Sequence, residues 1–106
     1  MQSHPSVISA YEQLAASCRD AGPLTPRDIA LVKVAVSIGR GSSRSVHAHA
    51  RKALQEGIEA AALRHLALMA LPTIGLPAAL DALKWVDECC AEQSVAQAGQ
   101  HPGDGR

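Results

Sequence analysis

LTPRDIALVKVAVSIGR, residues 24 to 40, is the stretch that decides the fold. Thr25 is placed to cap a helix, a proline follows at the first helical position, and Asp28 stands three residues after the cap, which is close to a capping box. Apolar side chains then cover most of the circumference as far as Ile38, so we expect this to be the central buried helix. Lys33 is the exception and must reach water, an acid or a site.

SSRSVHAHARKALQEG, residues 42 to 57, follows a Gly-Arg-Gly turn that ends the preceding helix, because glycine readily takes the left-handed conformation of a terminating residue. A second helix begins at Ser42 or Ser43 and stops at Gly57. Its apolar face includes Val46 and Ala50. The two stretches therefore predict consecutive helices joined by a short turn.

Three further helices flank this pair. Apolar residues recur at steps of three and four from Val7 to about Cys18, from about Glu59 to Ala70, and from Pro77 to about Glu92. The second of these should end before Pro72, since proline disfavours helical geometry in the residue before it. No segment has a convincing strand pattern. We therefore predict an all-α fold, a compact five-helix bundle.

The helical pattern defines one domain, residues 1–92. Residues 93–106 lose the apolar period and gain glycine and proline, so we expect a disordered C-terminal tail.

Charge and hydropathy exclude two classes of partner. Lys plus Arg and Asp plus Glu both number 10, so no basic field is present to bind nucleic acid. No apolar stretch approaches the roughly 20 residues of a membrane-spanning helix, and the N-terminus lacks a secretory signal pattern. We expect a cytoplasmic protein with no nucleic-acid or membrane partner.

The cysteines are Cys18, Cys89 and Cys90, an odd number without C-x-x-C spacing. This usage favours reduced thiols over a disulfide framework or a zinc site. For the adjacent pair we expect one thiol buried and one near the surface.

The composition also points to an oligomer. The chain has one Tyr, one Trp and no Phe, so its interior is built from small aliphatic residues that each bury little area. Leu68, Met69 and Leu71 are apolar positions that a chain of this size cannot hide on one side. We predict that they lie in a subunit interface.

The order of these motifs resembles the carboxymuconolactone decarboxylase family, which shares its fold with the alkylhydroperoxidase D-type proteins. The resemblance covers about residues 24–88 and depends on the LTPR helix start, the HARKALQEG segment and the IGLPAALDAL turn. It implies an all-α fold and a closed homo-oligomer, either a trimer or a hexamer.

The peroxidase branch of the family carries C-x-x-C, a histidine four residues later and an acid one helix earlier. By resemblance these positions fall on Ser42, Ser45, His49 and Ala30, so the histidine remains and the thiols do not. A serine hydroxyl is not oxidised and regenerated as a thiolate is, which argues against disulfide peroxidase chemistry here.

The decarboxylase branch needs no cofactor. Loss of carbon dioxide from a carboxylated lactone leaves negative charge that must be protonated, so the site needs a proton donor and cations that hold carboxylates. The resemblance assigns the donor to His49. Local chemistry adds candidate substrate-binding residues near it, namely Arg40, Arg44, Lys33, Ser42 and Ser45.

Two alternatives stay open beside this lyase. One is an alkylhydroperoxidase-like antioxidant, peroxiredoxin-like in its chemistry, that uses Cys89 or Cys90. The other is a non-catalytic oligomeric binding protein of the same fold. A metal site is not expected, because His47 and His49 project about 200° apart on one helix. We place His47 in solvent or at a subunit interface, and we expect His65 to face a partner or to lie in a contact.

Overall fold

The structure is a computed structural model that describes residues 3–100. Five helices follow one another: α1 (Pro5–Asp20), α2 (Pro26–Arg40), α3 (Ser43–Gln55), α4 (Ala60–Ile74) and α5 (Leu76–Gln100). No strand occurs between residues 3 and 100. The predicted all-α, five-helix architecture is confirmed.

The α2–α3 pair forms as the sequence predicts. Thr25 Oγ1 accepts a hydrogen bond from the Asp28 N–H, and Asp28 Oδ2 accepts one from the Thr25 N–H, both at 3.0 Å. This reciprocal capping box fixes the start of α2. Gly41 ends the helix at φ 76°, in the left-handed region, and Ser42 caps α3 by accepting a hydrogen bond from the Ser45 N–H at 3.2 Å.

The hydrophobic core lies where α2, α3, α4 and α5 meet. Its largest fully buried aliphatic side chains are Val34, Val46, Leu63 and Val86, one from each of these helices. Each of the four helices therefore presents one apolar face to a shared interior.

Helix α2 is less buried than its sequence indicates. Val34 and Ile38 lie in the core, whereas Val32 is exposed and Val36 is 64% exposed. The expectation of a central buried helix is wrong for the single chain. Only α3 and α4 pack extensively on α2, so the opposite side of its apolar circumference has no cover within the described residues.

Two helix ends differ from the predictions. Helix α4 continues through Pro72 to Ile74. Proline removes one hydrogen bond, but Leu68 and Pro72 lie on the exposed side of α4, where water reaches the released carbonyl. The helix ends at Gly75, which has φ 92° and donates its N–H to the Leu71 carbonyl at 3.0 Å.

Helix α5 continues past Glu92, where we expected a disordered tail to begin, and reaches Gln100, the last described residue. The residues that prolong it include alanine and glutamine, which have high helix propensity. Of the predicted tail, residues 101–106 lie outside the described residues.

Helix α1 stands apart from the other four. It starts at Pro5 after an N-cap at His4, and it contains no buried residue. None of the other helices packs extensively against it. Its apolar side chains Val7, Tyr11 and Leu14 are all more than half exposed.

None of the helices in residues 3–100 is both long enough and apolar enough to cross a membrane.

Candidate active site

A cleft of about 450 Å³ lies between α2 and α3. Ile29, Ala30 and Lys33 line it from α2, and His49, Lys52 and Ala53 line it from α3. We call it the α2–α3 cleft. On each helix these positions are three or four residues apart, which is the spacing of one helix face.

The short hairpin explains why these residues meet. Gly41 and Ser42 connect α2 and α3 as antiparallel neighbours, so residues equally distant from the turn lie opposite one another. Lys33 is eight residues before Gly41 and His49 is eight residues after it. The register of the hairpin therefore brings this ammonium group and this imidazole into one cleft.

His49 is half-buried at the border of the buried face of α3, next to Ala50. Its pKa is lowered from the usual value, first by burial and then by the positive charges of Lys33 and Lys52. At neutral pH the ring is therefore uncharged, with one nitrogen able to accept a proton.

The cleft carries a surplus of positive charge. Among residues 3–100, four cations line it, Arg19, Arg27, Lys33 and Lys52, against the single carboxylate of Glu56. Arg27 also binds Glu59, with N–O distances of 2.9 and 3.2 Å. This pairing raises the pKa of Arg27 and lowers the pKa of Glu59. The remaining charge favours a small anionic ligand.

Of the predicted substrate-binding residues, the structure brings only Lys33 to His49. Ser42 caps α3, Ser45 is half-buried one turn further on, and Arg40 is exposed at the end of α2. All three lie at the turn end of the hairpin, and none of them lines the cleft.

Arg44 lies on another side of α3, five residues before His49 and so about 140° around the helix. There it borders a surface hollow with His47, Arg51, Glu88 and Glu92. Arg44, which we predicted beside His49, therefore lies at a hollow between α3 and α5 instead.

Sequence reasoning missed Lys52, Arg27 and Arg19. Lys52 is three residues after His49, a spacing that places two side chains on one helix face, so its signal was present. Arg27 follows the cap of α2 and lies on its cleft side. Arg19 had no local signal, because its position depends on how α1 meets α2.

Contacts between polar side chains join α3 to α5 outside the cleft. His47 Nε2 lies 2.8 Å from Glu88 Oε1, and Arg51 Nη2 lies 3.3 Å from Glu92 Oε1. His47 is thus paired within the chain and points away from the cleft. His65 is exposed on α4.

The thiols of α5 are both buried, contrary to the expectation that one lies near the surface. Cys89 donates a weak hydrogen bond to the His47 carbonyl at 3.6 Å. Burial raises the pKa of Cys89 and of Cys90. Both are free cysteines, and so is the exposed Cys18.

Among the described residues no three His, Cys, Asp or Glu side chains are grouped so that they could hold a metal ion.

The carboxymuconolactone decarboxylase family matches residues 5–88, from the first residue of α1 into α5, and the chain belongs to this family. The match starts earlier than the resemblance in the sequence, which began at about residue 24. No curated protein and no solved structure matches the chain significantly.

Proposed function

We propose that this chain is a cofactor-free lyase of the carboxymuconolactone decarboxylase type, which binds a small carboxylated lactone in the α2–α3 cleft and uses His49 as acid and base. Family membership supports the class of protein. The observation that carries the proposal is the half-buried imidazole in a cleft that also holds Lys33 and Lys52.

The proposed chemistry has two steps. Lys33 and Lys52 hold the carboxylates of the substrate, and the carbon–carbon bond to the departing carbon dioxide breaks. The electron pair stays on the substrate, delocalised toward the ring, where the cations stabilise it. His49 then gives a proton to that carbon and is reprotonated from water.

The lowered pKa of His49 fits this sequence of events. In the empty cleft burial and the two lysines keep the imidazole neutral. A bound anion offsets the lysine charges, which raises the pKa of the ring and lets it take up a proton as the substrate binds. The proton donor is thus formed only beside a substrate.

Carbon dioxide release from carboxylated lactones tests the activity. We expect turnover by the wild-type protein and a loss of about 10²- to 10⁴-fold in kcat in His49→Gln, the range for removing a general acid or base. His65→Gln is the matched control, because His65 is exposed on α4 outside the cleft. Equal rates for His49→Gln and wild type would refute the assignment.

The thiol antioxidant alternative has less support. Cys89 and Cys90 are buried with raised pKa, so little thiolate is present to attack a peroxide. A non-catalytic binding protein would bind carboxylates at the same cations and release no carbon dioxide, so the same assay separates it from the lyase.

We also propose a homo-oligomer, a trimer or hexamer, assembled through the exposed apolar ends of α4 and α5. Leu68 and Met69 are 56% and 61% exposed, and Leu71, Leu76 and Leu80 are exposed nearby in the sequence. Such a grouping is typical of an interaction surface. Light scattering after size exclusion tests it, and a monomer at micromolar concentration would count against it.

A further inference from the structure

Helix α1 has an apolar stripe that no other helix of the described chain covers. Val7, Tyr11 and Leu14 are four and three residues apart, lie within about 60° of one another around the helix, and are more than half exposed. No residue of this 16-residue helix is buried. Helices of this length are marginal in water without tertiary contacts, so the arrangement needs a surface for α1 to pack against.

Helix α2 has a matching stripe beside the cleft. Val32 and Val36 are exposed, and on the helix surface they adjoin Ile29 and Lys33, which line the α2–α3 cleft. A helix lying on Val32 and Val36 would therefore border the cleft along its α2 wall.

The two stripes are in register. Residues 21–25 connect α1 to α2, and a short connection favours antiparallel packing. Leu14 is nine residues before Pro23 and Val32 is nine residues after it. Tyr11 and Val36 correspond to within one residue. If α1 folds down on α2, Leu14 meets Val32 and Tyr11 meets Val36.

Arg19 already links α1 to the site. It lies in the last turn of α1 and lines the α2–α3 cleft. A guanidinium group binds a carboxylate through two parallel N–H donors, which fixes its orientation as a lysine does not. An anion in the cleft would thus orient the end of α1.

We propose that Arg19 is an anion-binding residue of the α2–α3 cleft and that binding of a small carboxylate folds α1 onto α2 over the cleft. The inference rests on the proposed function, because it needs an anion in this cleft. Closure buries the two apolar stripes together, shields Lys33 and His49 from water, and so strengthens the attraction between the lysines and the bound carboxylate.

Disulfide trapping tests the closure. Leu14→Cys and Val32→Cys are introduced together with Cys18→Ser, while the buried Cys89 and Cys90 are retained. Under mild oxidation we expect succinate to increase, severalfold, a crosslink that migrates as a monomer on a non-reducing gel. Adding Arg19→Gln should abolish the increase, and adding Arg64→Gln, on α4 outside the cleft, should preserve it.

Two readouts on the protein without added cysteines complete the test. Succinate should slow hydrogen exchange of the α1 amides in wild type but not in Arg19→Gln. The NMR resonance of the His49 ring reports anion binding independently of any movement of α1. Butane-1,4-diol, which lacks the carboxylates of succinate, serves as the neutral control.

The outcomes separate the two proposals. A shift of the His49 resonance without a change in crosslinking or exchange overturns the closure and leaves the anion site intact. A crosslinked dimer also overturns it, since α1 would then pack on a second copy. No response of His49 to succinate overturns both proposals.

Discussion

Lys33 of α2 and His49 of α3 line the same cleft although they are sixteen positions apart in the sequence, and the Lys33 ammonium group helps to lower the pKa of the His49 imidazole. Burial is the larger cause and Lys33 the next. The coupling between the two side chains is the property of this site that is easiest to measure.

Lys33→Gln removes one of the two positive charges that act on the ring. We expect the pKa of His49 to rise toward its usual value, while the contribution of burial remains. An NMR titration of the imidazole measures it. Arg51→Gln, outside the cleft, should leave the His49 titration unchanged, and an unchanged titration in Lys33→Gln would show that the two groups do not interact.

Stability should fall as the solution is acidified through the titration of His49. The folded-state pKa lies below the ordinary value of 6.5, so between these two values the unfolded chain binds more protons on this ring than the folded chain does. The free energy of unfolding therefore decreases as pH drops from 6.5 toward the folded-state pKa.

Urea denaturation at a series of pH values measures this decrease. His49→Gln should reduce the loss of stability in that window, whereas His65→Gln should retain it. The same pH dependence in His49→Gln and wild type would assign the effect to other groups.

Glu59→Gln should strengthen anion binding. Glu59 holds Arg27 through two hydrogen bonds and does not itself line the α2–α3 cleft. Its neutralisation leaves the Arg27 charge uncompensated, and we expect succinate to bind severalfold more tightly by isothermal titration calorimetry. Glu88→Gln, which neutralises the carboxylate beside His47 instead, is the matched control. Weaker binding in Glu59→Gln would mean that the pair positions Arg27 for the ligand.

The three thiols should react at very different rates. Cys18 is exposed, whereas Cys89 and Cys90 are buried and their pKa is raised. A thiol reagent such as 5,5′-dithiobis(2-nitrobenzoate) should modify one cysteine quickly in the native protein and all three in denaturant. Cys18→Ser should remove the fast phase. A fast phase that persists in this variant would revive the antioxidant alternative.

Leu63→Ala should destabilise the fold by about 2–5 kcal/mol, the range for a fully buried leucine. Leu68→Ala is the control on the same helix, because more than half of Leu68 is exposed. Urea unfolding at low protein concentration should give little change for Leu68→Ala. Light scattering of the same variant should show weakened assembly if this face joins subunits.

The sequence predicted those parts of the fold that local chemistry determines. The capping box of Thr25 and Asp28 fixes a helix start within four residues, and Gly41 fixes the turn. The sequence did not predict how much of α2 is buried, because apolar residues around a helix do not show how many other helices pack against it. The helix end predicted before Pro72 was wrong for a related reason. The free-energy cost of the hydrogen bond that proline removes depends on whether water reaches the released carbonyl, which the sequence does not show.

The site was predictable in part. His49 and Lys33 were both identified, and the antiparallel hairpin would have paired them. Arg40, Arg44, Ser42 and Ser45 were chosen because they are near His49 in the sequence, yet side chains around a helix diverge by about 100° per residue. Whether Arg19 reaches the cleft depends on the angle between α1 and α2, and no local sequence pattern determines that angle.

The short Gly41–Ser42 connection constrains the number of residues between Lys33 and His49. Inserting or deleting one residue between Lys33 and His49 within a helix would rotate one partner by about 100° and shift it by about 1.5 Å along the axis, which removes it from the opposite wall. Substitutions in this segment change the chemistry of the cleft one side chain at a time. A one-residue change of length within either helix separates the two groups, so we expect chains that keep this pair to keep fifteen residues between them.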